Sequence, residues 1–258
     1  MTRFLRLAAA GLGWFIAMSA GPAFAQNPPL RLGTEGAYAP FNYINKNGQV
    51  EGFDVDIGNA LCARMHRRCT WVTQEWQGMI PALQGRKFDV MVASMAITPA
   101  RREQVDFTKP YYRTVGMMVG RHGSGLDQSP AALKGRRIGA VRGTSNARYV
   151  RQRYGDIASV REYLSSDDMF LDFLIGRLDV VFGDAVEMRP WIDRNGGETR
   201  YARIGDYVHD PLLAQGIGIA VRRGDTKLLA ALNSALDQIV QDGTYDQINR
   251  KYFSFKLN

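Results

Sequence analysis

Short apolar segments that read as strands alternate with stretches of helical periodicity from residue 30 onward. The strand candidates are "LRLGT", "FDVMVAS", "VGMMVG", "RRIGAV", "LDVVF" and "GIGIAV", and helices begin near Asp54, Gln77, Ser145, Asp167 and Asp225. A strand, a helix and a second strand in succession require a crossover, which favours parallel pairing with helices laid over the sheet. The pattern therefore predicts an α/β protein with largely parallel sheets. At 258 residues the chain divides more naturally into two small lobes than into one large sheet.

An internal echo supports two lobes. Gly85-Arg86-Lys87-Phe88-Asp89-Val90 and Gly176-Arg177-Leu178-Asp179-Val180 each set a glycine at a helix end and then launch an apolar strand. In each copy the fifth residue after the Asp is polar, Ser94 in one and Asp184 in the other. Ligands of open α/β sheets collect outside the carboxyl ends of strands, so these two residues are expected on opposite walls of one crevice. Taken alone, the echo is better read as a chance likeness of two corners.

The first residues, "MTRFLRLAAAGLGWFIAMSAGPAFAQ", place Arg3 and Arg6 before an apolar stretch and end in a small-x-small triplet. They read as a secretory signal peptide over residues 1–25, cleaved after Ala25, which puts the mature protein in an exported compartment. There Cys62 and Cys69, seven apart, are read as a disulfide rather than as metal ligands. The histidines His66, His122 and His209 are scattered, and neither a metal nor a cofactor is expected. Loss of Arg3 and Arg6 lowers the formal charge from +8 to +6. The basic residues are dispersed without aromatic interleaving, so no nucleic-acid partner is expected.

Several residues could carry chemistry. Arg101 follows the corner "MAITPA" just beyond a strand end, where a guanidinium can grip a carboxylate through two parallel bonds; an exposed arginine early in a helix is the commoner use of that position. In "RRIGAVRGTSNARYV" a strand runs into Gly143-Thr144-Ser145-Asn146 and a helix start, whose amides can bind an anion, although a plain N-cap explains Thr144 and Ser145 as well. Glu35 and Asp184 both follow strands. Two acids near one arginine and a set of amides suit a ligand with one carboxylate and two positive groups. Tyr38 and Trp76 could wall such a ligand, or could simply pack in the core.

Together these motifs resemble the periplasmic solute-binding proteins of polar amino-acid ABC importers, in the branch that binds lysine, arginine and ornithine or histidine. The likeness runs through "LRLGTEGAYAPFNY", "GFDVDIGNALCARM", "GRKFDVMVASMAITPARREQVDFTKPYY", "LKGRRIGAVRGTS", "GRLDVVFGDAVE" and "DGTYDQINRKYF". It implies a type II periplasmic-binding-protein fold and a Cys62 to Cys69 disulfide. It gives Arg101 the ligand α-carboxylate with amides at Ala96 and Ser145, and gives Asp184 and Ser94 the α-ammonium. Glu35 meets the distal cation and Tyr38 and Trp76 sandwich the side chain. Val141, Thr144 and Asn146 complete the far wall, and Met95 belongs to the Ser94 to Ala96 corner. Ala93 and Ala96 stand where close relatives often carry serines, and Glu35, Trp76 and the "ASMA" corner also look like opine-binding relatives.

The expected machine is a monomeric two-lobed clamp. Residues 27–112 with 214–258 form one lobe and 117–208 the other, joined near 113–116 and 207–214. It would capture arginine, lysine, ornithine or histidine in the periplasm and deliver it to an inner-membrane permease. Three rivals remain: an opine binder, a periplasmic dehydratase with Glu187 as a buried general acid in place of a solvent-facing helical residue, and a free-standing sensory module.

Overall fold

A computed structural model describes residues 28–213 and 216–257. The leader with its cleavage site after Ala25, and Ala214 at the end of the second expected joint, lie outside the described residues. Two five-stranded sheets form the framework. The first runs Cys69–Thr73, Leu30–Thr34, Val90–Met91, Ala220–Arg222, Val105–Phe107; the second runs Ser159–Tyr163, Arg137–Val141, Val180–Asp184, Gly116–Arg121, Tyr201–Arg203. In each, the first three strands pair in parallel. The fourth is antiparallel to both of its neighbours. The sheets are thus mixed where largely parallel ones are expected, because the fourth strand of each is the segment that has just arrived from the other sheet.

The echo between the halves is structural. At the start of Leu30–Thr34 the Arg31 guanidinium and amide all bond Asp89, at 2.9 to 3.2 Å. At the start of Arg137–Val141 the same three donors of Arg137 bond Asp179, at 2.7 to 2.9 Å. Each fork ties the second strand of its sheet to the third at the end away from Ser94 and Asp184. A single corner solution is therefore used twice.

Local chemistry sets the helices. Thr226–Gln241 starts at Asp225, whose carboxylate caps Leu228 N, and buries Leu232, Ala235, Leu236 and Ile239, the one-face spacing of an amphipathic helix. It packs on Phe53–Arg64, which carries Asp54 and Asp56 in its first turn and Arg64 in its last, the order the helix dipole favours. Phe41, Phe53, Tyr112 and Phe253 fill the core between them. A second core, with Phe173, Trp191 and Tyr201, fills the other lobe. The Cys62–Cys69 disulfide joins the helix Phe53–Arg64 to the edge strand Cys69–Thr73 with Cα atoms 6.2 Å apart.

Some elements are shorter or less visible than the sequence suggests. "FDVMVAS" pairs as a strand only at Val90–Met91, and Ser94 then turns into the left-handed region at φ 50°. "GIGIAV" is a strand only at Ala220–Arg222, while Ile217 makes single bridges to Ala96 and Tyr112. The strands Cys69–Thr73 and Ser159–Tyr163 escape the apolar pattern because they are sheet edges whose residues are only partly buried. Among the described residues, no helix is long and apolar enough to cross a membrane.

Candidate functional site

The carboxyl ends of the parallel strands of both sheets face each other across a cleft of about 590 Å³, counted out to its mouth. Glu35, Tyr38, Trp76, Ser94, Ala96 and Arg101 line it from the first lobe; Val141, Thr144, Ser145, Asn146 and Asp184 line it from the second. Met95 does not: its side chain is buried in the first lobe among Met91, Ile97 and Phe107. The strand ends at Met91 and the chain turns at Ser94, so that Ala93, Ser94 and Ala96 reach the cleft while Met95 is buried in the core.

Arg101 is 7% exposed. It sits in the short helix Pro99–Arg102, which Thr98 caps by accepting from the Arg101 amide. One guanidinium nitrogen donates to Ala96 O at 2.9 Å, and another reaches across the cleft to Gly143 O at 3.1 Å. The guanidinium also lies over the Trp76 ring, 5.2 Å from its centroid, so Trp76 steadies the arginine as well as walling the cleft. Burial first, then the neighbouring Arg148 charge, pulls Arg101 down to about 10, which leaves it charged at neutral pH.

The facing helix Ser145–Tyr154 begins at Thr144, whose hydroxyl oxygen accepts from Ala147 N at 3.0 Å and donates to Val141 O at 2.6 Å. The threonine is thus spent on capping, and Ser145 and Asn146 of the first helical turn line the cleft. Gly143 holds φ 74°, a left-handed turn that a side chain would resist, and brings its carbonyl to Arg101.

Carboxyl groups dominate the rest. Asp184 ends the strand Val180–Asp184 and accepts from the Tyr38 hydroxyl of the other lobe at 3.2 Å. Burial pushes its pKa upward, against hydrogen bonds from Asn146 and Tyr38 and the charge of Arg101. Glu35 is raised to about 7 by burial and then by Glu75 and Asp167. Among the described residues, neither Asp184 nor Glu35 has a Lys, Arg or His within ion-pair distance.

Sequence reasoning leaves out Ser166, Met169, Phe182 and Gly183, which also line the cleft, as do Ala93, named there only as a serine position in relatives, and Glu187, named there only as the general acid of the dehydratase rival. Glu187 is 5% exposed, where a helical glutamate of that kind is expected to face solvent. It lies one turn after Asp184 on Ala185–Arg194, a spacing that was the available signal. Behind Ser94 lies another unanticipated group. The fully buried Asp54 accepts from Tyr111 at 2.6 Å, Ser94 at 2.8 Å and Asn42 at 2.9 Å. The Ser94 hydroxyl thus gives its proton to Asp54 and keeps its lone pairs for the cleft.

Two sheets joined by paired crossings, with polar groups of both meeting over one cleft, define a two-lobed binding protein. The chain belongs to the bacterial extracellular solute-binding proteins, family 3, whose model it matches over residues 30–255. It is 42% identical over 238 residues to the L-arginine-binding protein of Pseudomonas aeruginosa, covering 92% of each chain. Over 242 residues it is 32% identical to the lysine/arginine/ornithine-binding periplasmic protein of Escherichia coli, covering 93% of each. Among solved structures, a Salmonella typhimurium periplasmic binding protein described for its high arginine specificity matches with a TM-score of 0.80 at 34% identity, over 88% of this chain and 100% of that one.

Proposed function

We propose that the protein captures a cationic L-amino acid, arginine before lysine or ornithine, in the periplasm and passes it to an ABC-importer permease, acting as a monomeric binding protein without catalysis. The observation that carries this reading is the charge balance of the cleft: Arg101 as the buried cation, set against ligand-facing carboxyls that lack cationic partners. An α-carboxylate suits Arg101 with the amides at Ala96 and Ser145. The α-ammonium suits Asp184 and the lone pairs of Ser94, and the Asn146 side-chain oxygen, buried without a hydrogen-bond partner among the described residues, offers a further acceptor. Glu35 takes the distal cation, with Tyr38 and Trp76 along the aliphatic stem. The names of the relatives support arginine first.

Closure follows from contacts that only the closed state makes. The lobes, residues 27–112 with 214–258 and 117–208, turn about the segments near 113–116 and 207–214. Support comes from the pairing of the two crossings, where Gly116 and Val208 exchange amide bonds at 3.0 and 2.8 Å and Ile217 N bonds Tyr112 O at 2.9 Å. Secretion with cleavage after Ala25 completes the proposal. A thermal-shift panel on refolded mature protein, with the twenty amino acids, ornithine, citrulline, octopine and nopaline, tests it. Stabilisation confined to cationic amino acids is the expected result, and stabilisation by opines alone refutes it.

A further inference from the structure

We infer that Glu187 is a second cation-binding carboxylate of the cleft, so that the ligand's side-chain cation is held from both lobes, by Glu35 on one and Glu187 on the other, and the site selects a guanidinium. This rests on the cationic amino-acid reading and adds a residue and a selectivity to it.

Glu187 is buried, lines the cleft and, among the described residues, lies within ion-pair distance of no Lys, Arg or His. Its hydrogen-bonding neighbour is the neutral Ser166 hydroxyl, and the charges acting on it are those of Asp184, Glu35 and Asp167. A carboxyl in such a place is costly unless a cation is brought to it. Gly183 lies beside it: a Cβ there would sit 3.4 Å from a Glu187 carboxyl oxygen, in ordinary contact, and 2.4 Å from Met188 Cε, so the glycine lets the strand end pack close against the turn of helix that carries Glu187.

The cleft then holds one acid more than an α-ammonium and a point-like side-chain charge require. With Asp184 on the α-ammonium, Glu35 and Glu187 remain for the side chain. A guanidinium spreads its charge over a plane with donors on several edges and can serve two carboxylates at once; a lysine ammonium is a compact, strongly hydrated point charge. A ureido group has nearly the same outline as a guanidinium and no charge. The two acids therefore separate arginine from citrulline by charge and from lysine by shape.

The test is calorimetry of refolded wild-type protein and Glu187→Gln with arginine, lysine and citrulline, each protein checked for folding by circular dichroism. Wild type should prefer arginine to citrulline by at least roughly 10- to 100-fold, the range set by one charged hydrogen-bonding contact, and E187Q should shrink that preference about as much. A wild type that binds arginine no better than citrulline overturns the inference without any variant. An E187Q protein that keeps the wild-type arginine-to-citrulline ratio overturns it as well. A wild type that binds no cationic amino acid refutes the underlying reading instead.

Discussion

The Tyr38 hydroxyl donates to an Asp184 carboxylate oxygen at 3.2 Å across the cleft, joining residues that belong to different lobes and stand 146 positions apart. The bond exists only when the lobes are together, and it holds Asp184 in place for a ligand ammonium. Tyr38→Phe removes it while keeping the ring stacked on Phe41, 5.1 Å away. The expected result is a ligand affinity weaker by about 0.5–1.5 kcal/mol with little change in unfolding temperature, read by calorimetry and thermal melting.

Asp54 organises the opposite wall from beneath. Its carboxylate receives hydrogen bonds from Tyr111, Ser94 and Asn42, which offset part of the rise in pKa that burial imposes. Asp54→Asn sets an amide against three donors. It should cost on the order of 2–3 kcal/mol of stability in urea unfolding, whereas Ser94→Ala, which removes one donor of three, should cost about 1 kcal/mol.

The acids of the cleft make stability depend on pH. In the folded, closed protein Glu35 is raised from 4.5 to about 7 and Glu187 from 4.5 to about 8, both chiefly by burial. Between those limits the folded state binds protons that the unfolded chain has released, so stability is highest below about pH 4.5 to 5 as far as these groups act, and falls as pH rises toward 8. Thermal melts of ligand-free protein should show stability falling over that window, by no more than the roughly 8 kcal/mol that the two closed-state shifts allow at about 1.4 kcal/mol per pH unit, and by less in so far as the lobes open and rehydrate the two acids. E187Q should flatten the curve, and arginine, which replaces the protons with a fixed cation, should do the same.

The Cys62–Cys69 disulfide closes a short loop between a helix and an edge strand. Reduction, or a double substitution to serine, should lower stability by about 2–3 kcal/mol, the loop-closure value for so short a ring, and leave ligand selectivity unchanged because the bond lies at the outer edge of the first lobe's sheet. Chemical denaturation with and without reductant checks this.

Much of the site was legible because strand-end geometry is a local rule. Ser94 and Asp184 were found from their place after Asp89 and Asp179, and the Arg31–Asp89 and Arg137–Asp179 forks give that echo its physical basis. The same rule applied to Ser159–Tyr163 would have found Ser166, but an edge strand with Arg161 and Glu162 in it carries no apolar signature. Glu187 could not be told from a surface glutamate by spacing alone, since its burial depends on tertiary packing around the cleft. Met95 was grouped with its neighbours because the turn at Ser94, with its left-handed backbone, is invisible in the sequence. The mixed character of the sheets was hidden for a similar reason: which strand inserts between which depends on the return crossing.

The central claim is that Arg101 holds the α-carboxylate of a cationic amino acid between the lobes. Titration of refolded wild-type protein and Arg101→Ala with L-arginine in a calorimeter tests it most directly. The account predicts tight binding to wild type and a loss of about 2–5 kcal/mol in the variant. Equal affinity of the two proteins for arginine would contradict it.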